Sequence, residues 1–450
     1  MVKNLETIQY NGTWWLPGKE EKKIHGNLNI SCKGEAYLNL VSPIEENNHN
    51  GDEYELILGF SNDGKVISLQ YCLVNESPVV YPGLKTQKIS VENVYITPTF
   101  LDAEGKHYEP SVKTDKIVVQ FTYLNDWLDL PLFKLDVGKT NDSRTVYNIT
   151  HTTPIEYETV FNVEDITGRL KICYGFGENG YHYDDPTKIF AEHYFESALK
   201  IEINKKLNID EWYDCILNLL REFFMLATLK PNWISGLSTF HMINDREVPI
   251  EIYSRQTIFS KRNHKKIYSH EMLFCFESVK DDLSIIINNW FNLCHDSRYI
   301  FLVYFSTIQG EHMYVEHKFL SLAQTLEAFH RALNPSKLVE YRDKNGKKKC
   351  REFYFKERLE DLLNNLMPGV MSDIIYDVNC FLDTVKDTRN FLTHLDDTNK
   401  NKIADEQELL IIINQLSAFI QALMLTRLKI PERNILSKYM ENKTSLIPKK

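Results

Sequence analysis

The chain has 450 residues, 43% of them hydrophobic and 12% aromatic, with a formal net charge of −10. Such a length is more than one core supports, so two or three domains are expected, and the composition excludes a globally disordered chain. An acidic balance also excludes generic coating of nucleic acid; any nucleic-acid contact has to come from local basic patches.

The eight cysteines, Cys32, Cys72, Cys173, Cys215, Cys275, Cys294, Cys350 and Cys380, include no C-x-x-C pair. In a chain this large they read as reduced thiols of a cytoplasmic protein. The opening residues, Met1 to Glu6, contain no apolar run, so no secretory signal is expected. No P-loop, dinucleotide fingerprint or G-x-S-x-G motif occurs, and no histidine cluster has metal-ligand spacing. Neither a cofactor nor a metal is therefore expected.

Residues 10 to about 200 read as β-rich. Leu28–Cys32 and Ala36–Leu40 alternate in the manner of half-buried strands. Glu55–Phe60 and Val66–Cys72 flank a turn with an Asp63-Gly64 hairpin signal. Further strands are expected near Val94–Ile96, Lys116–Phe121 and Leu170–Tyr174, and so many short strands imply a sandwich or barrel. From about residue 207 the period changes. Asn208 has the character of an N-cap, and Trp212, Ile216, Leu219, Phe223 and Leu226 predict a long amphipathic helix. The stretch from 240 to 310 reads as mixed, with strands near Val248–Ile252 and Tyr299–Val303 and a helix over Leu283–Leu293.

The last third reads as helical. Stripes run through Phe319, Leu322, Leu326, Phe329 and Leu333, then Phe355–Leu366, then Ile374, Val378, Phe381, Val385, Thr388 and Leu392. A fourth runs from Leu409 to Leu428 and is closed by Pro431; its internal Asn414, Gln415, Gln421 and Arg427 mark it as a core helix and not a membrane span. Four such helices in about 110 residues predict an antiparallel bundle.

Thr388-Arg389-Asn390-Phe391-Leu392-Thr393-His394 closes the third stripe. A histidine can take the proton of a ribose 2′-OH and return one to the 5′-oxygen leaving group. An arginine can clamp the phosphate, and an amide can orient either group. Five residues separate Arg389 from His394 in register, which on an ideal helix is about 140° around the axis. One straight helix would not aim both at one point. A helix end, a kink, or two copies facing across a two-fold axis would. Arg144 and His151 form a similar pair, but in a stretch that reads as extended, and are discounted. Lys347, Lys348, Lys349 and Arg351 make a basic turn that is a candidate RNA contact, and Ser260–Lys266 is a weaker one. Trp14, Trp15 and Trp127 read either as a ligand platform or as core.

The Arg-polar-His spacing on a helix resembles the HEPN superfamily. The segment Phe319–Glu327 looks like the earlier helix of its ApeA-type branch. Gly12–Pro17, the run from Ile24 to Leu40, and Leu124–Leu128 resemble the ApeA N-terminal domain. This resemblance implies an α+β chain: a β-rich N-terminal sandwich or barrel-like region (1–205), a mixed α/β continuation (206–314) and a C-terminal HEPN bundle (315–450). It implies a bacterial anti-phage ribonuclease with Arg389, Asn390 and His394 as site residues. RNA is the expected partner, with tRNA a candidate target, together with a phage-derived trigger and a second copy of the chain; no membrane is involved. The alternative from another class is a non-catalytic dimerisation or RNA-binding scaffold beside a ligand-binding β domain.

Overall fold

A computed structural model describes residues 7–45, 49–81, 84–98, 113–130, 133–139, 145–151, 156–185, 188–243, 246–257, 265–310, 312–366, 375, 377–395 and 403–430. Arg144, Ile374, Pro431 and residues 260–264 of the second basic run lie outside them. The chain divides into two compact units. One holds 1–126, 130–221 and 232–266; the other holds 127–129, 222–231 and 267–450.

The first unit is built on antiparallel pairing. Strands β1 (Thr7–Trp15), β2 (Ile24–Ser31), β3 (Ala36–Leu40), β4 (Glu53–Ser61), β5 (Lys65–Tyr81) and β6 (Leu84–Pro98) pair in the order β1-β2-β3-β6-β5-β4 and back to β1. That circuit closes a six-stranded barrel and removes its free edges. The alternation drives it: β3 buries Ala36, Leu38 and Leu40 and turns Tyr37 and Asn39 outward. Gly64, at φ +84°, makes the predicted turn between β4 and β5. The inward residues form one core around Trp14, Leu28, Leu38, Ile57, Ile67 and Val91. Trp14 lies opposite Gly59 in the register, and a Cβ at Gly59 would stand 2.2 Å from its ring. Glycine there is what lets the largest side chain enter the barrel.

The sheet continues past the barrel. β6 also pairs with a run formed by β7 (Lys113–Phe121), β10 (Glu158–Val163), β11 (Ile166–Asp185), β12 (Lys188–Asn208), β13 (Ile234–Ile243) and β14 (Arg246–Ser254), while β8 (Phe133–Lys139) and β9 (Thr145–His151) form a separate hairpin. A short helix α1 (Leu124–Leu128) follows β7. Asn208 caps α2 (Ile209–Trp212) as expected: its Oδ1 accepts from the Glu211 amide at 2.9 Å, and the Glu211 carboxylate accepts from the Asn208 amide at 2.8 Å. A π turn over Tyr213–Leu217 joins α2 to α3 (Asn218–Thr228).

Among the described residues the second unit is helical apart from one hairpin. After a short α4 (Phe276–Val279), α5 runs over Leu283–Gln309 with a kink at Ser297, where φ is −147°. This corrects the strand expected at Tyr299–Val303. Its apolar run has helical spacing in space: Phe301, Tyr304 and Phe305 are buried, whereas Tyr299 is 85% exposed. Helix α6 (Val315–Leu333) packs against α5, α7 (Phe355–Asn364), α8 (Val378–His394) and α9 (Glu406–Leu428). It is therefore the hub of the bundle. α9 is long and apolar enough to cross a bilayer, yet most of it is buried among the other helices, as a core helix would be. The expected basic turn is a hairpin, β15 (Val339–Arg342) with β16 (Lys348–Arg351). The tryptophans are core: Trp14 and Trp15 are buried in the first unit, and Trp127 packs edge-on against Phe223, Phe224 and Phe276 in the second.

Candidate active site

Helix α8 begins with the Asp377 side chain accepting from the Cys380 amide at 3.0 Å. Its buried stripe is Phe381, Leu382, Val385 and Thr388. Arg389 follows Val385 by four positions, so it extends that stripe and emerges at the seam of three helices. Its Nη2 donates to Glu327 Oε2 of α6 at 3.2 Å, and its Nη1 donates to Asn390 Oδ1 at 3.3 Å. The guanidinium also stands 5.2 Å from the ring centroid of Phe355, the first residue of α7. Three contacts from three elements hold the fork half-buried in one orientation.

His394 is the last helical residue and is exposed. Leu395 behind it adopts the left-handed conformation, φ +51°, and its amide closes onto the Phe391 carbonyl. The left-handed turn ends the helix at the histidine, and holding a leucine in it costs about 1–2 kcal/mol. Asn390 and His394 share a face, one turn apart. Helix α8 is regular from Val378 to that end, so Arg389 and His394 remain about 140° apart around one axis. Asn390 and His394 are thus brought to one face, and Arg389 reaches that face only through its bond to Asn390. Among the described residues no three His, Cys, Asp or Glu side chains form a group that could hold a metal.

Two partners of Arg389 escaped the reading of the sequence. Glu327 carries a faint signal, a carboxylate at the edge of the apolar stripe of α6, and Phe355 carries none beyond its place at a helix start. The four basic residues of the hairpin belong to the same unit. Lys347, Lys348 and Lys349 are exposed, with Lys349 3.1 Å from Asp343 and Lys348 3.8 Å from Glu340. Arg351 donates from both terminal nitrogens to Glu357 at 2.6 Å and stacks on Tyr354.

A buried histidine fixes how α7, and with it Phe355, docks on α6. His330 is fully buried, with Arg358 Nη1 3.2 Å from its Nδ1 and Asp361 Oδ2 3.1 Å from its Nε2. A guanidinium has only donors, so Nδ1 must accept and Nε2–H must donate to Asp361. The ring is held neutral: burial, above all, pushes its pKa below the usual histidine value, with the Arg358 and Lys337 charges adding to this against the pull of Asp361. The unfolded chain thus takes up this proton before the folded chain does. Stability is unaffected above the unfolded value of 6.5 and falls as pH drops below it. The denaturation midpoint followed by circular dichroism is expected to fall as pH is lowered through the unfolded value of 6.5, and less steeply in His330→Gln. Equal slopes in the two proteins would remove His330 as the source.

The fold and the site together define an α+β chain whose β-barrel region is joined to a helical bundle bearing an Arg-Asn-x-x-x-His helix end. The family follows. Residues 9–290 match the ApeA N-terminal domain 1, and residues 320–434 match the Apea-like HEPN domain, so the chain belongs to the ApeA-type HEPN family. HEPN domains are generally ribonuclease domains that act on RNA and commonly dimerise. Searches of curated proteins and of solved structures returned no match.

Proposed function

We propose that the chain is a metal-independent endoribonuclease of anti-phage defence in the cytoplasm, with the bundle cutting RNA, tRNA among its candidate targets. The observation that carries this reading is the arrangement at one helix end: Arg389 fixed by Glu327, Asn390 and Phe355, with an exposed His394 one turn beyond Asn390 on the face they share. In the reaction, His394 takes the proton from the ribose 2′-OH, the 2′-oxygen bonds to phosphorus, and the P–O5′ bond breaks. The departing 5′-oxygen takes its proton from a second histidine, that of another copy of the chain. Arg389 offers its fork to the phosphoryl oxygens, and Asn390 orients that fork. The products are a 2′,3′-cyclic phosphate and a 5′-hydroxyl, and dependence on the 2′-OH confines the activity to RNA. The β-rich residues 1–205 sense the phage-derived trigger or restrain the bundle, leaving the purified chain a basal cleavage activity.

Incubation of the purified protein with total RNA in excess chelator tests this. Discrete fragments with cyclic-phosphate ends are expected. Cleavage only after metal is added would replace the mechanism. A second reading has one observation in its favour: Arg389 already has a carboxylate partner, as it would in a structural bundle that binds RNA without cutting it. Bound but intact RNA in the same incubation would select that scaffold.

A further inference from the structure

Glu327 holds two arginines, one on each oxygen. Oε2 accepts from Arg389, and Oε1 accepts from Arg331 Nη2 at 3.1 Å, one turn further along α6. We propose that Arg331 is a second RNA-phosphate-binding residue, seating the phosphate next to the one held by Arg389; this rests on the ribonuclease reading of the same site.

Three observations carry it. The first is exposure: the Arg331 side chain is 56% exposed against 30% for Arg389, and while its Nη2 is tied to Glu327, its Nη1 is held only by a 3.6 Å contact with Glu352. A planar guanidinium can serve two anions in this way, where an ammonium cannot present two edges. The second is charge. Arg331 lies 3.6 Å from Glu352, and Glu352 accepts from the buried Arg358 at 3.0 Å. Arg389, Arg331 and Arg358 thus share two carboxylates, a local excess of positive charge in a chain of net charge −10. The Arg331–Glu352 contact is long and Glu352 is 69% exposed, so a phosphate can replace it at little cost. The third is continuity. Contacts run from Arg389 through Glu327 and Arg331 to Glu352, which directly follows Arg351, the last residue of the hairpin that carries Lys347–Lys349. A single strand of RNA would run from the hairpin across Arg331 to the scissile phosphate.

The test uses full-length His394→Ala, which should bind RNA without cutting it, and adds Arg331→Gln. Affinity for a labelled single-stranded oligoribonucleotide and for bulk tRNA is measured across a salt series. Loss of one phosphate contact is expected to weaken binding about 3- to 10-fold at moderate salt and to lower the log–log salt slope by about one. Arg331→Lys, which keeps the charge, should recover most of the slope. An i,i+4 pair that merely stabilises α6 would shift the melting temperature and leave the slope alone. Unchanged affinity and slope in Arg331→Gln therefore overturns this inference and leaves the ribonuclease reading standing. Failure of the His394→Ala parent to bind either RNA overturns both.

Discussion

His394→Ala and Arg389→Ala are each expected to reduce RNA cleavage by about 10²- to 10⁴-fold, through different losses. The histidine variant removes the proton-transfer group from an exposed helix end, so the melting temperature should change little. The arginine variant removes the phosphate clamp and empties one side of Glu327, leaving Arg331 on the other. A small loss of stability should therefore accompany the loss of activity. Arg389→Lys separates charge from shape. It retains the cation but cannot hold Glu327, Asn390 and a phosphate with one planar fork, so activity should stay low. Initial rates on a defined RNA, with unfolding curves for each variant, check all three. Full activity in His394→Ala would end the proposed mechanism.

Much of this fold is written locally. Strands such as Ala36–Leu40, the Asp63-Gly64 turn and the Asn208 cap depend on residues one to four positions apart, and all stand where the pattern placed them. Closure of the barrel is not local: β3 meets β6 through Ala36 and Val91, and no periodicity announces such a pairing. Tyr299–Val303 misleads because a short run of aromatic and β-branched residues fits a strand and a buried helix alike; only the packing of Phe301 and Phe305 decides it. The candidate site divides in the same way. Arg389, Asn390 and His394 lie on one helix and are legible from spacing. Glu327 lies 62 residues from Arg389 and is joined to it only by the meeting of α6 and α8.

The separation of Arg389 and His394 around a regular helix makes the strongest demand on assembly. If each chain worked alone, a phosphate held at the Glu327 seam would have to reach a histidine about 140° away around the same axis. A second copy facing the first removes that problem, since one phosphate seated at the two-fold axis lies between both sets, with the two histidines supplying a base and an acid and the arginines clamping it. This predicts the behaviour of a mixed dimer. Wild-type chain and an Arg389→Ala/His394→Ala double variant, co-expressed with different tags and purified through both, form a particle with one complete Arg389-Asn390-His394 set. A composite site needs the missing histidine for its second proton transfer, so this particle should cleave at the background rate of the double variant. Two independent sites would instead retain about half of the wild-type rate, since closed two-fold pairing makes the two chains equivalent. Half-activity in the mixed dimer would place the whole reaction within one chain. It would then require Arg389 to leave Glu327 and swing toward the histidine when RNA binds.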